Sequence, residues 1–375
     1  MSVRSRPLSA SLALATVLLS TWGCAEAPAA GASADEGPVF SVDPTWPAER
    51  LANNWILGTV TGLWVDSRDH VWVVHQPETL SARETGAADE PPTAQCCVPA
   101  PPVIELDTEG RVVQGWGGPG QGFVWPDSEH GVYLDHEGHV WVGGYSHHHL
   151  MKFTRDGELL LKIGDPESSG GSNDPERLGG PAAVHVNPET NELFVADGYR
   201  NRRVVVFDAE TGEYLRHWGA YGERPDDEYE FGSRDGPPPP QFGLVHGLVG
   251  SRDGRIYVTD RPNNRIQVFE ESGEFVMEAQ VAPETRQSGT AFTLGLSHDP
   301  EQRFLYLADG TNHKLWILRR DDLEVVGEIG SGGRQIGQFI RPHNVAVDSH
   351  GNIYTGEAAD GRRVQRFTLE EFPDR

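Results

Sequence analysis

Cysteine is nearly absent from this chain: of 375 residues, only Cys24, Cys96 and Cys97 carry a thiol. One thiol near the N-terminus and two adjacent ones cannot form a cross-linked framework, so a compact fold must rest on its apolar core. The Cys96-Cys97 pair reads as a loop feature without a catalytic role, with a vicinal disulfide or a soft-metal pair as alternatives. Basic residues are also in deficit, 31 Lys and Arg against 56 Asp and Glu, which leaves a net charge of −25. An acidic surface repels polyanions, and this argues against nucleic acid or an anionic membrane surface as partner. Few stretches could hold a long amphipathic helix. Instead, 44 Gly and 27 Pro separate many short β-branched and aromatic runs, the pattern of an all-β chain.

Long apolar runs are missing except near the N-terminus, where Leu8 to Leu19 follows Arg4 and Arg6. That stretch is too short for a stable span and reads as a secretory signal over residues 1–24. Two processing routes stay open: lipid attachment at Cys24, behind Ser20-Thr21-Trp22-Gly23, or ordinary cleavage after Ala27. Residues 25–37, rich in Ala, Gly and acids, read as a disordered tether. The expected address is secreted or periplasmic, with membrane contact only through a lipid anchor at Cys24.

What the chain has in abundance is repetition. PHNVAVDSHGNIYTGE from Pro342 matches VTGLWVDSRDHVWVV from Val60, EHGVYLDHEGHVWVGG from Glu129, AAVHVNPETNELFVAD from Ala182, VHGLVGSRDGRIYVTD from Val245 and TLGLSHDPEQRFLYLAD from Thr293. Copies follow one another at about 56 residues, near the longer propeller periods. Each continues into a third strand and usually a fourth, so residues 38–375 read as a six-bladed β-propeller. The sixth copy lacks a fourth strand, whereas Val39–Val42 is a strand without a repeat. Pairing the two closes the ring.

In an up-and-down meander, the loops after second strands and the connections between blades lie at one end. The insertions at 76–102, 164–180 and 220–241 therefore crowd one face, where function is expected. At the mouth of the first strands the repeats place Thr61, His130, Ala182, His246, Leu294 and His343 in one register. Histidine falls on alternate blades, about 120° apart, so the three imidazoles converge on the axis as a three-nitrogen metal site, with zinc expected. A single histidine at such a lip would be no more than a hydrated lining residue. The loops after the second strands of blades three and four bring Tyr199, a candidate base, and Arg261, a candidate carboxylate fork, to the same end. Arg202, Arg203 and Arg265 read as salt-bridging loop residues.

The repeats resemble the NHL class, the last copy, PHNVAVDSHGNIYTGE to RRVQRF, most closely and the fifth more loosely; within them stand HGV at 130, DGYRNRR at 197, HGLVGSRDGRIYVTDRPNNRIQVF at 246 and PHNVAVD at 342. In order and spacing they are similar to the core of peptidyl-α-hydroxyglycine α-amidating lyases, over about residues 58–367. The resemblance implies zinc on His130, His246 and His343, Tyr199 as the base at the substrate hydroxyl, and Arg261 at the substrate carboxylate. It implies a peptide or small-molecule substrate cleaved to an amide and glyoxylate. It further implies a channel calcium on the carbonyls of Leu63 and Val132 and on the side chain at 344. Three positions depart from the family pattern. Asn344 replaces an Asp, Gln76 replaces a first-blade arginine, and Arg200 replaces a half-cystine. Gln76 and Arg200 are accordingly the substrate-binding candidates, Arg200 supplying the missing charge.

Other histidines carry weaker expectations. The His147-His148-His149 run reads as a loop at the active face, His75 as a rim donor, and His185 and His298 as packing or surface residues. Two further functions compete with the lyase. One is a non-catalytic propeller that binds a peptide, sugar or protein on the insertion-rich face. The other is a hydrolase like the six-bladed lactonases, which the histidine register disfavours because those sites rely on acidic calcium ligands.

Overall fold

The computed structural model describes residues 37–47, 50–232 and 236–373. The signal expected over 1–24 and all but the last residue of the 25–37 tether lie outside the described residues.

Six four-stranded antiparallel sheets account for nearly all regular structure among these residues. Their first strands are Thr59–Val65, Glu129–Leu134, Pro181–Val186, Val245–Gly250, Leu294–Leu296 and Pro342–Val347. Each first strand packs against that of the next blade, and blade six returns to blade one, so the sheets surround a channel. Blade six is completed by Val39–Val42, which pairs with Val364–Glu371 as the unmatched N-terminal strand predicts.

The repeat is built on a side chain at the first turn of each blade. Asp135 Oδ1 accepts the backbone N–H groups of Glu137 and His139, at 3.1 and 2.8 Å, and its Oδ2 accepts Trp141 Nε1 at 3.0 Å. Asp66 holds Arg68, His70 and Trp72 in the same way, and Asp348 holds His350, Asn352 and the Tyr354 hydroxyl. One carboxylate thus fixes the turn and aims an aromatic residue from the second strand. Those aromatics enter cores that lie between sheets. One such core joins Phe194, Val204 and Trp218 of blade three to Ile256, Val258 and Phe269 of blade four. Because each core belongs to two blades, no blade buries its faces alone.

Blade five departs from the predicted register. Its first turn is braced by Ser297 and Asp299 together, with Arg303 N–H donating to Asp299, so the turn is longer than in the other copies. Aligning on Asp299 places Leu294 at the mouth. The hydrogen bond from Ser297 N to Phe304 O matches that from Ser251 N to Arg255 O in blade four, and shows that Phe292 stands there instead.

The insertions pack at the end of the ring where the first strands begin. Residues 164–180 and 220–241 are joined by the Ser172 N–H to the Asp227 carboxylate (2.9 Å), and 76–102 is tied to blade six by Arg362 and Glu84 at 2.9 Å. Cys96 and Cys97 are paired as a vicinal disulfide within this last insertion.

Several histidines are structural. His75 is fully buried, accepting the Gly58 N–H at Nδ1 and donating from Nε2 to Pro101 O, both at 3.0 Å, so it braces blade one and is not a rim donor. Burial lowers it to about 4, and His149 likewise. In the unfolded chain both take a proton near the ordinary value of about 6.5. As pH falls below that value the unfolded state binds more protons, so the stability contributed by the neutral rings is lost between about 6.5 and about 4. The melting temperature should fall across this window, and His75→Gln should flatten the fall. A melting temperature independent of pH there, followed by circular dichroism, would contradict the assignment.

Candidate active site

Five of the six first strands carry a β-bulge at the end nearest the insertions, between Val60 and Gly62, His130 and Val132, Pro181 and Ala183, Val245 and Gly247, and Pro342 and Asn344. A bulge leaves one residue unpaired and re-aims a side chain. At blades four and six the unpaired residues are His246 and His343, and at blade two His130 adjoins the unpaired Gly131. The three rings meet. Their centroids are 5.0 Å apart for His130 and His246, 4.9 Å for His130 and His343, and 4.8 Å for His246 and His343. One nitrogen from each lies within 4.8 Å of the others, and all three residues are buried.

Second partners set the tautomers. His130 Nδ1 is 2.9 Å from Ala182 O, and His246 Nδ1 is 2.9 Å from Phe292 O. A carbonyl only accepts, so each Nδ1 carries the hydrogen and each Nε2 offers a lone pair to the centre. Thus the odd blades supply orienting carbonyls and the even blades supply donors. His343 differs: its Nδ1 faces Asn344 Oδ1 at 3.1 Å. Burial holds all three imidazoles neutral, His130 lowered to about 4 and His246 and His343 well below their ordinary value, with the charge of Arg261 acting in the same direction. Neutral, convergent and oriented imidazoles are the donor set that a borderline divalent metal takes.

The Tyr199 hydroxyl is 2.9 Å from His130 Nε2 and 3.2 Å from His246 Nε2. Burial pushes this phenol up to about 12, and Arg261 pulls against that rise by its charge and a hydrogen bond. Tyr145 stacks obliquely on Tyr199 at 4.9 Å and extends the wall. The Tyr199 loop is anchored by a fully buried pair, Arg203 Nε to Asp197 Oδ2 at 2.9 Å. Arg265 and Asp260, at 3.0 Å and also fully buried, anchor the loop that carries Arg261. These loops are therefore rigid supports, as the salt-bridging reading of Arg203 and Arg265 expects. Arg202 instead donates to the carbonyls of Asp226 and Tyr229.

Arg261 lies with its guanidinium carbon 5.0 Å from the Phe292 ring, and its buried Nε has no hydrogen-bond partner. The other candidates fall elsewhere. Gln76 is buried, and its Nε2 donates to Glu129 O at 3.0 Å, so it ties blade one to blade two. Arg200 is exposed on the rim. Leu63 and Val132 occupy equivalent positions in the first strands of blades one and two. A channel calcium does not fit these groups well. The one side-chain oxygen proposed for it, that of Asn344, is uncharged and already faces His343 Nδ1, whereas calcium favours carboxylate. Two site residues escaped the sequence reading. Phe292 was hidden by the longer turn of blade five, and Arg341, whose guanidinium also approaches Phe292, is signalled only by its place two residues before His343.

The NHL repeat family matches residues 242–269, the stretch that holds His246 and Arg261. Mouse (Mus musculus) peptidyl-glycine alpha-amidating monooxygenase is 29% identical over 252 residues, covering 64% of this chain and 23% of that protein. The chain thus spans about a quarter of the length of the first curated relatives it matches. Peptidyl-alpha-hydroxyglycine alpha-amidating lyase 1 of Drosophila melanogaster is 26% identical over 345 residues, 86% of this chain and 58% of the relative. Mouse NHL repeat-containing protein 3 is 23% identical over 347 residues, 88% of this chain and 85% of the relative. Among solved structures, a streptogramin B lyase superposes with a TM-score of 0.52 at 12% identity, covering 84% of this chain and 94% of that one, a likeness of fold. The protein is thus a six-bladed β-propeller with an NHL-repeat match at residues 242–269 and homologues named as amidating lyases.

Replacing Arg203 by Ala would leave Asp197 buried without its counter-ion and should cost about 3–5 kcal/mol of unfolding free energy. Arg203→Met combined with Asp197→Leu should recover much of that loss in denaturant titrations. A single variant as stable as the parent would show that the pair does not anchor the Tyr199 loop.

Proposed function

We propose that this protein is a secreted or envelope-attached carbon–nitrogen lyase. Its substrate is an α-hydroxyglycine-like carbinolamide, cleaved to an amide and glyoxylate. The observation that carries this reading is the meeting of three neutral, oriented imidazoles with the Tyr199 phenol beside a guanidinium that lacks a carboxylate. Homologues named for the same chemistry, matched over most of this chain, support it.

In this reading His130, His246 and His343 hold zinc through Nε2, and the Ala182 and Phe292 carbonyls and the Asn344 amide keep their rings in place. Zinc bound there would supply a Lewis acid that polarises the substrate hydroxyl and lowers the pKa of the neighbouring phenol. Arg261 takes the substrate carboxylate in a fork and so sets the reacting carbon against Tyr199. Tyr199 Oη accepts the hydroxyl proton. The C–O bond becomes a carbonyl as the C–N bond breaks, and the departing nitrogen takes up a proton to become the amide. The ring packing around Tyr199 keeps water from competing for the phenol. No step uses a calcium ion.

A second reading keeps the fold and drops the chemistry, and the long match to NHL repeat-containing protein 3 favours it. Here the insertion-rich face would bind a peptide, sugar or protein without turnover.

Purified protein should carry about one zinc per chain, and His246→Ala should lose it. Unchanged metal content in that variant would remove the three-histidine centre. Supplied with benzoyl-α-hydroxyglycine, the parent should release glyoxylate, and Tyr199→Phe should slow release by about a hundredfold or more while retaining zinc. Zinc without glyoxylate release would leave the binding reading in place of the lyase.

A further inference from the structure

Arg341 sits in the connection that enters blade six, and its backbone is held from several sides. Its N–H donates to His313 Nδ1 at 3.0 Å, and its carbonyl accepts the Ala358 N–H at 3.0 Å. Its φ of 58° is left-handed, an uncommon conformation for a bulky residue and one that the following Pro342 and these bonds must maintain. The held backbone delivers the side chain to a defined place. The Arg341 guanidinium carbon lies 5.1 Å from the centroid of the Phe292 ring that Arg261 approaches to 5.0 Å. The same ring is 5.4 Å from that of His246 and 5.7 Å from that of His343. Phe292 is therefore the common wall of two guanidinium groups and two of the three site imidazoles.

The two cations lack an anion. Among the described residues no carboxylate oxygen lies within 4.0 Å of a side-chain nitrogen of Arg261 or Arg341, although the chain carries 56 acidic residues. The side-chain hydrogen bond of Arg341 goes to a neutral group, Ser288 Oγ, at 3.1 Å. Two half-buried like charges around one ring repel each other, and cation–π attraction offsets only part of that cost. A bound carboxylate would remove the repulsion and complete both forks.

We propose that Arg341 is a second carboxylate-binding residue, acting with Arg261 to select substrates that end in a free carboxylate beside the reacting carbon. The identity of that carboxylate as an α-hydroxyglycine end rests on the lyase reading, whereas the paired anion site does not. The charge missing from blade one, where Gln76 is taken up by Glu129 O, is thus supplied from blade six and not by the exposed Arg200. A substrate amide or ester at that end would present no anion and would be rejected.

The probe is benzoylglycine, which carries the carboxylate but has no hydroxyl to react, with benzoylglycinamide as its neutral counterpart. By titration calorimetry on the zinc-analysed protein, Arg341→Ala should bind benzoylglycine about tenfold to a hundredfold more weakly than the parent. Arg341→Lys should recover part of that affinity, and the neutral amide should bind both proteins alike. Melting temperature and metal content should stay at parent values in the lysine variant, which guards against a folding defect. Equal affinity of parent and Arg341→Ala for benzoylglycine, or no binding to the parent, would overturn the proposal. Discrimination between the two probes without glyoxylate release from benzoyl-α-hydroxyglycine would sink the lyase reading and leave the anion site standing. Glyoxylate release with an unchanged KM in Arg341→Ala would do the reverse.

Discussion

The active face depends on a pairing made by residues far from it, the antiparallel contact of Val39–Val42 with Val364–Glu371. Three histidines on alternate blades meet at one point only if six blades complete the circle, because each blade's angle is fixed by the cores it shares with its neighbours. A last blade with three strands would leave an edge and a partly bare core. The N-terminal strand covers both, with Phe40 set edge-on against Tyr306 of blade five at 5.5 Å and Asp43 bonded to Arg366. Closure is therefore a condition for the site, and the first strand among the described residues supplies it.

The electrostatics of the site run against those of the whole. An acidic chain would be expected to neutralise every cation it buries, and at Arg203 and Arg265 it does so with fully buried carboxylates. These two pairs belong to the loops that carry Tyr199 and Arg261. Behind the site, charge is paired and geometry is rigid; at the site, the imidazoles are neutral and two guanidinium groups stay without carboxylates. The arrangement leaves donors for a metal and an anion facing one aromatic wall, and the support for each donor comes from the blade beside it.

Much of this was legible in the sequence because propeller blades repeat both their turns and their strand lengths. The polar residue at the first turn, Asp66, Asp135, Asn187, Ser251 and Asp348 in five of the blades, made the register visible, and from it His130, His246 and His343 could be placed on one axis without a structure. Blade five failed where that marker failed. Asp299 sits two residues later than its counterparts, and aligning on it put Leu294 where Phe292 stands. The loops after the second strands offered Tyr199 and Arg261, and the resemblance to amidating lyases gave them roles, but it also directed attention to Gln76 and Arg200 by position. Neither could be tested without knowing partners: Gln76 is committed to a neighbouring carbonyl, and Arg200 points to the rim. Arg341 was invisible for a different reason. Its role comes from a left-handed backbone and a ring contributed by another blade, neither of which any local pattern encodes.

The proposed lyase chemistry stands or falls on a metal centre at the three Nε2 atoms. Anomalous diffraction at the zinc edge from crystals of the purified protein tests it most directly. One strong peak is expected about 2.0–2.1 Å from Nε2 of His130, His246 and His343. Density that shows the three rings bridged only by the Tyr199 hydroxyl, with no anomalous peak between them in protein supplied with zinc, would contradict it.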